Sequence, residues 1–206
     1  MSAALLVLAA YLLGSLSGSL LLGKLRGVDI RTQGSGNAGG TNAFRTQGLR
    51  FALGVVVIDI GKGALAAWLG LRFAEASDAA WLAYATAFAA VVGHVWPVWH
   101  GFRGGKGAAT AVGGLLVLWP WSIPLLLLVW LLVLTSSGYV GLATVVAGAC
   151  LPLLAWWIDA EAPRMWFAIG IALYLAFTHR SNLQRLCNGN ESRFERARLL
   201  HRLYRG

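Results

Sequence analysis

Three polar segments interrupt an otherwise apolar chain, and each combines residue types that hold anionic oxygens. GSGNAGGTNAFR, Gly34 to Arg45, sets four glycines among Ser35, Asn37, Thr41 and Asn42 and ends on a guanidinium fork. A backbone this free to curl can turn several N–H groups inward as an anion nest, and Arg45 adds a fixed planar charge. GHVWPVWHGFRGGKGAAT, Gly93 to Thr110, brings Arg103, Gly104, Gly105 and Lys106 to the start of an apolar helix, whose N-terminus favours phosphate. It is not a nucleotide P-loop: that pattern needs Gly at His100 and Ser or Thr at Gly107, and no strand precedes it. In HRSNLQRLCNGNESRF, His179 to Phe194, the residues His179, Asn182 and Arg185 recur every third position and can share a helix face, and Glu191 follows a Gly189 turn. Taken singly, the first two segments also fit a glycine-rich turn and a loop without ligand. The lone histidines His94 and His100 read as structural.

The elements that must position these segments are membrane helices. Of the 206 residues 58% are hydrophobic and 12% charged, and the mean hydropathy of +0.66 lies outside the soluble range. Apolar runs fall at about 3–23, 51–71, 80–98, 108–135, 140–158 and 165–178. The fourth is long enough for one tilted helix or for two short ones broken at Trp119-Pro120-Trp121, where proline removes a backbone donor. Charge decides between them. With two helices there are seven spans, and Lys24, Arg26, Arg31, Arg45, Arg50, Arg103, Lys106, Arg180, Arg185, Arg193, Arg196, Arg198, Arg202 and Arg205 all lie on one side against Asp29, Glu191 and Glu195. The other side keeps Arg72 and Arg164 against Glu75, Asp78, Asp159 and Glu161. The positive-inside rule then places the N-terminus outside, and the C-terminus and all three polar segments in the cytoplasm. Trp68, Trp81, Trp119, Trp121, Trp156, Trp157 and Trp166 fall near the outer interface as an aromatic belt.

The expected architecture is therefore an all-α, seven-span integral membrane protein forming a single domain over residues 1–206. The first run lacks a basic leader and reads as a retained span. The net charge of +9 is loop charge on a membrane protein, not a nucleic-acid footprint. Cys150 and Cys187 have no metal-ligand spacing, so neither a metal nor a cofactor is expected. Residues 192–206 fit an amphipathic helix on the inner leaflet or a solvated basic tail. Asp59 and Lys62, three apart in an apolar helix, are either a structural pair or a wall of a polar cavity.

GSGNAGGTN with Arg45, GHVWP followed by GFRGGKG, and HRSNLQRLCNGNE resemble, in order and spacing, the three signature motifs of the bacterial acyl-phosphate-dependent glycerol-3-phosphate acyltransferases. The chain is similar to that family over nearly its whole length. It departs at Gly40, Trp96 and Ser17, where the family commonly has Ala, Phe and Pro. In TSSGYVGLAT, Gly138 and Gly141 replace a usual Arg and Ser, and Thr144 fills a second serine position. The resemblance implies seven spans and a cytoplasmic active site in the bacterial inner membrane. It also implies acyl transfer from a fatty acyl phosphate to the 1-hydroxyl of glycerol 3-phosphate, giving lysophosphatidic acid among membrane lipids. On that reading Ser35, Arg45 and Lys106 hold the glycerol phosphate, and Asn37, Gly40 and Thr144 line the substrate site. Thr41, Asn42, Gly104, Gly105, His179 and Asn182 surround the acyl-phosphate head, with Thr41, Lys106, His179 and Asn182 as the catalytic set, while Arg185 and Glu191 brace the third motif. The general base is a substrate phosphate oxygen, with His179 as the alternative. A transporter of a phosphorylated small molecule is the rival reading, and it requires polar groups leading to both faces.

The charge pattern predicts that, with Cys150 and Cys187 replaced, single cysteines within Gly34–Arg45, Gly101–Gly107 and His179–Glu191 resist a membrane-impermeant thiol reagent in intact cells and label only after lysis. Labelling of any of the three from outside would overturn this orientation.

Overall fold

The computed structural model describes residues 2–74 and 79–197, and among these every regular element is helical. The helices are α1 (Ala3–Gly14), α2 (Gly18–Leu25), α3 (Gly40–Gln47), α4 (Leu49–Phe73), α5 (Ala79–Val95), α6 (Ala108–Leu118), α7 (Ser122–Ser137), α8 (Val140–Trp157), α9 (Ala162–Thr178) and α10 (Arg180–Cys187). Short 3-10 turns occupy Ile30–Thr32, Val98–His100 and Glu195–Ala197. The chain divides into two compact units, Met1–Pro120 and Trp121–Gly206. The basic segment 198–206, which carries most of the expected amphipathic tail helix, lies outside the described residues.

The long fourth apolar run is broken as its Trp119-Pro120-Trp121 sequence predicts. α6 ends at Leu118, Trp119 leaves the helical conformation (φ −154°, ψ 62°), and α7 starts at Ser122. The first run holds a break that hydropathy hides. α1 and α2 meet at 46°, because Gly14, Ser17 and Gly18 favour helix poorly and the Ser15 hydroxyl bonds back to the Tyr11 carbonyl at 2.9 Å, a contact that bends helices. Leu49–Phe73, Ala79–His100 and Val140–Trp157 are long and apolar enough to cross a membrane, and the bent α1–α2 pair makes a fourth candidate. α6, α7 and α9 are shorter apolar helices of 11, 16 and 17 residues. At 1.5 Å per residue they reach about 17, 24 and 26 Å, against a hydrocarbon core of about 30 Å. Outward faces carry large apolar side chains such as Leu5, Leu53, Val57, Leu128 and Leu153.

In the first unit α4 packs against α5 and α6, and α1 against α5. Contact between helices in lipid gains little from hydrophobicity and depends on close approach at small residues. Two crossings show this in reciprocal form. A methyl on Gly63 of α4 would collide with the Thr110 carbonyl of α6, and one on Gly113 of α6 with the Ile60 carbonyl of α4. Gly14 of α1 likewise meets the Ala90 carbonyl, while Gly93 of α5 meets the Tyr11 carbonyl. In the second unit α8 packs between α7 and α9.

Gly113→Val should lower stability by about 2–3 kcal/mol, the cost of forcing a side chain into a filled space. Gly61→Ala, whose new methyl meets open space, should be neutral or stabilising by up to about 1 kcal/mol. Thermal unfolding of the purified protein in detergent measures both.

Candidate active site

The first polar segment is held by one carboxamide. Asn42, buried on α3, donates through Nδ2 to the carbonyls of Ile30 (3.1 Å) and Gln33 (3.0 Å), while its Oδ1 accepts from the Ser35 amide (3.0 Å). These bonds curl residues 30–36 over the start of α3. Gly34 adopts φ 56°, and a methyl there would strike Asn42 Oδ1. Ile30 anchors the loop by burying against a core that includes Leu20, Phe51 and Val55. No side chain caps the N-terminus of α3 at Gly39, so the first-turn amides of Gly40 and Thr41 lack an intrahelical partner. Ser35, Thr41 and Arg45 are exposed around this turn, and Asn37 and Gly40 are half-buried.

The second segment folds back on the end of α5. The amides of Gly104 and Gly105 donate to the carbonyls of Val95 (3.1 Å) and His94 (3.1 Å), and Phe102 N–H to Pro97 (2.9 Å). These two glycines therefore shape the loop, with their N–H groups already used, and the expected exposed amides lie elsewhere. Gly107 caps α6 at φ 89° without a side-chain partner, leaving the first turn of α6 as the donor surface beside the half-buried Lys106. A methyl on Gly105 would meet both the His94 ring and the Ala38 carbonyl. The first and second segments are thus neighbours.

Arg31, which sequence reasoning did not single out, ties them. Its Nη1 donates to the carbonyls of His100 (2.9 Å) and Arg103 (3.3 Å), and Asp29 holds the other side of the guanidinium at 2.8–3.2 Å. Side-chain and backbone hydrogen bonds from Arg31 pull the Asp29 carboxyl down to about 2. A carboxyl lowered by folding stabilises above its unfolded value near 4 and loses that contribution only as pH falls through about 2. The tie is therefore constant across physiological pH.

Beneath the second loop lies a buried cluster. Lys62 Nζ contacts Asp59 Oδ1 (2.9 Å), His94 Nδ1 (2.8 Å) and the Leu16 carbonyl (2.9 Å), and Asp59 Oδ1 accepts from the Gly18 amide (3.1 Å). The carbonyl and amide belong to the α1–α2 break. Asp59 stands ten residues beyond Leu49, the start of α4, about 15 Å along that helix. The second loop is accordingly recessed well below the end of α4. Asp59 and Lys62 pair as their spacing suggests, and His94 joins them.

In the second unit, Glu191 bridges Asn182 Nδ2 (2.6 Å) and Arg185 Nε (2.7 Å), so these two share the expected face of α10, whereas His179 precedes that helix and is not joined to them by these bonds. His179, buried at the end of α9, directs Nδ1 at the Leu175 carbonyl (2.8 Å). A carbonyl only accepts, which puts the proton on Nδ1 and the lone pair of the neutral ring on Nε2. Asn182 packs against Gly141, where a methyl would crowd it, and the Phe194 amide donates to the Gly138 carbonyl at 2.8 Å. Gly138 and Gly141 of TSSGYVGLAT thus receive the third segment. Thr144 donates to the Val140 carbonyl (2.9 Å) and accepts from Trp130 Nε1 (3.2 Å). Its hydroxyl serves the packing of α8 on α7.

Comparison with known proteins supplies the frame for this geometry. The family model described as glycerol-3-phosphate acyltransferase matches residues 4–189. Curated relatives called glycerol-3-phosphate acyltransferase include one from Gloeobacter violaceus, 40% identical over 89% of this chain and 90% of its own. Another, from Geotalea daltonii, is 40% identical over 93% and 97%. Among solved structures the chain is similar to crystal structures of PlsY (YgiH), an integral membrane glycerol 3-phosphate acyltransferase. The glycerol 3-phosphate form has a TM-score of 0.87 at 37% identity, covering 94% of this chain and 96% of that one. The lysophosphatidic acid form has a TM-score of 0.85 at 36% identity, covering 94% and 95%.

Asn42→Ala should cost about 2–3 kcal/mol, since it deletes three hydrogen bonds and leaves buried carbonyls unpaired. The Ser35 amide should then exchange hydrogen with solvent markedly faster while α5 amides keep their protection. Mass-resolved hydrogen exchange reads both.

Proposed function

The chain belongs to the glycerol-3-phosphate acyltransferase family, acyltransferases of lipid synthesis, and from that premise we propose that it uses a fatty acyl phosphate as donor and acylates the 1-hydroxyl of sn-glycerol 3-phosphate. The hydroxyl oxygen attacks the acyl carbonyl, the bond from that carbon to the phosphate oxygen breaks, and inorganic phosphate leaves. The hydroxyl proton passes to a substrate phosphate oxygen, and the other product is 1-acyl lysophosphatidic acid. An acyl phosphate is already an activated mixed anhydride, so the protein need only position the reactants and stabilise charge.

The observation that carries this reading is the meeting of two phosphate-suited loops at one recessed corner, with Lys106 and two uncapped helix N-termini. Ser35, Arg45 and Lys106 hold the glycerol phosphate. Thr41 and the first turns of α3 and α6 face the acyl-phosphate head, and Gly104, Gly105 and Asn42 keep the loops in shape. The family resemblance assigns His179 and Asn182 of the third segment to the acyl-phosphate head, and Glu191 braces Asn182 and Arg185 within that segment. α1–α2, α4, α5, α6, α7, α8 and α9 make seven spans in a bacterial inner membrane, the shorter ones accommodated by local thinning, with the motif loops in the cytoplasm. A transporter would need polar groups continuing to the opposite face. The deepest ionisable set described above, Asp59, Lys62 and His94, pairs within itself and with the α1–α2 break.

Purified protein given palmitoyl phosphate and glycerol 3-phosphate should release inorganic phosphate in equal amount to lysophosphatidic acid, unaffected by excess chelator. Palmitoyl-CoA should give no product. Turnover with the thioester at a comparable rate, or none with the acyl phosphate, would overturn the donor assignment.

A further inference from the structure

The buried cluster of Asp59, Lys62 and His94 is absorbed neither by the reaction nor by packing alone. Asp59 and Lys62 side chains are 1% and 3% exposed. A buried ion pair is poor support for stability, because apolar residues of similar volume usually serve as well. What the charges do here is specific. The bend between α1 and α2 frees the Leu16 carbonyl and the Gly18 amide, and Lys62 and Asp59 satisfy one each. The ammonium has three protons and three neighbours: Leu16 O, Asp59 Oδ1 and His94 Nδ1. His94 Nδ1 lies 2.8 Å from Lys62 Nζ and 3.3 Å from Asp59 Oδ1, so the ion pair holds one edge of the ring and the Nε2 edge faces away from it. That edge of the ring lies against Gly105, where a methyl would overlap it, and the His94 carbonyl accepts the Gly105 amide at 3.1 Å. Lys106 is the next residue along the chain.

We propose that Asp59, Lys62 and His94 are positioning residues, which transmit the location of the α1–α2 break through the His94 ring to Gly105 and so fix where Lys106 stands. This deepens the proposed function and rests on it, because Lys106 is there a contact for the glycerol phosphate. The cluster touches no substrate, and its effect on turnover is exerted through the loop above it.

His94→Asn separates this role from folding. The Asn Oδ1 can take the place of Nδ1 and keep a partner for Lys62, but the ring edge against Gly105 is gone. We expect the variant to melt within a few degrees of wild type. Its KM for glycerol 3-phosphate should rise by on the order of tenfold or more, while KM for palmitoyl phosphate stays within about twofold. His94→Gln, which restores a group near the Nε2 position, should recover part of the loss. A nitroxide attached at Arg103→Cys, with Cys150 and Cys187 replaced, should show greater mobility in the His94→Asn background. A folded His94→Asn enzyme with both KM values and kcat within about twofold of wild type would overturn the proposal. If His94→Asn cannot be purified folded, Lys62→Met decides on the same readouts, since it removes the donor to Leu16 and His94: a raised KM for glycerol 3-phosphate is expected, and a folded enzyme with both KM values unchanged would overturn the proposal. Should wild type itself fail to use palmitoyl phosphate, the donor assignment falls and the nitroxide decides alone, unchanged mobility then sinking the positioning role.

Discussion

A helix that breaks among apolar surroundings leaves backbone groups that water cannot reach, and the protein must satisfy them itself. In this chain the bend after Gly14 frees the Leu16 carbonyl and the Gly18 amide, and an ion pair from α4 takes both. His94, one residue before the end of α5, joins the same contact, and the second polar loop begins where α5 ends, which is the basis of the positioning role proposed above. With apolar residues at positions 59 and 62 the break would have no partner.

Above this floor, most of the hydrogen-bonding capacity of the two loops is spent on the loops. Asn42 uses its whole carboxamide on residues 30–35, Gly104 and Gly105 give their amides to the end of α5, and Arg31 divides itself between Asp29 and the second loop. Rigid positioning of a few remaining donors fits the acyl-phosphate donor proposed above, since such catalysis gains from geometry and field more than from covalent chemistry.

Much of this was legible in the sequence where the local pattern leaves few alternatives. The run breaks at Trp119-Pro120-Trp121, whereas the lone Pro152 is carried inside α8. Asp59 and Lys62 cannot stand alone in an apolar helix, and they pair. Asn182 and Arg185 share a face, and Glu191 joins them. What the sequence left open concerns residues with several uses. Ser15 and Ser17 pass unnoticed in a hydropathy profile although their hydroxyls and neighbouring glycines mark the bend. A glycine can lend an amide to a ligand or merely avoid a collision, and only the placement of His94 shows that Gly104 and Gly105 do the second. Asn42 looked like a ligand donor because composition does not say which way an amide faces. Arg31 was counted only as positive charge, and no local pattern announces that it reaches the carbonyls of residues 100 and 103.

The reciprocal glycine crossings carry an evolutionary consequence. At Gly63 and Gly113 the obstacle to a larger side chain is a carbonyl oxygen of the facing helix, an atom that all twenty amino acids possess. Substituting the residue opposite cannot clear it. A lineage that lost either glycine could be rescued only by moving a whole helix, so both positions are closed to drift by routes that ordinary compensating changes in a side-chain core leave open.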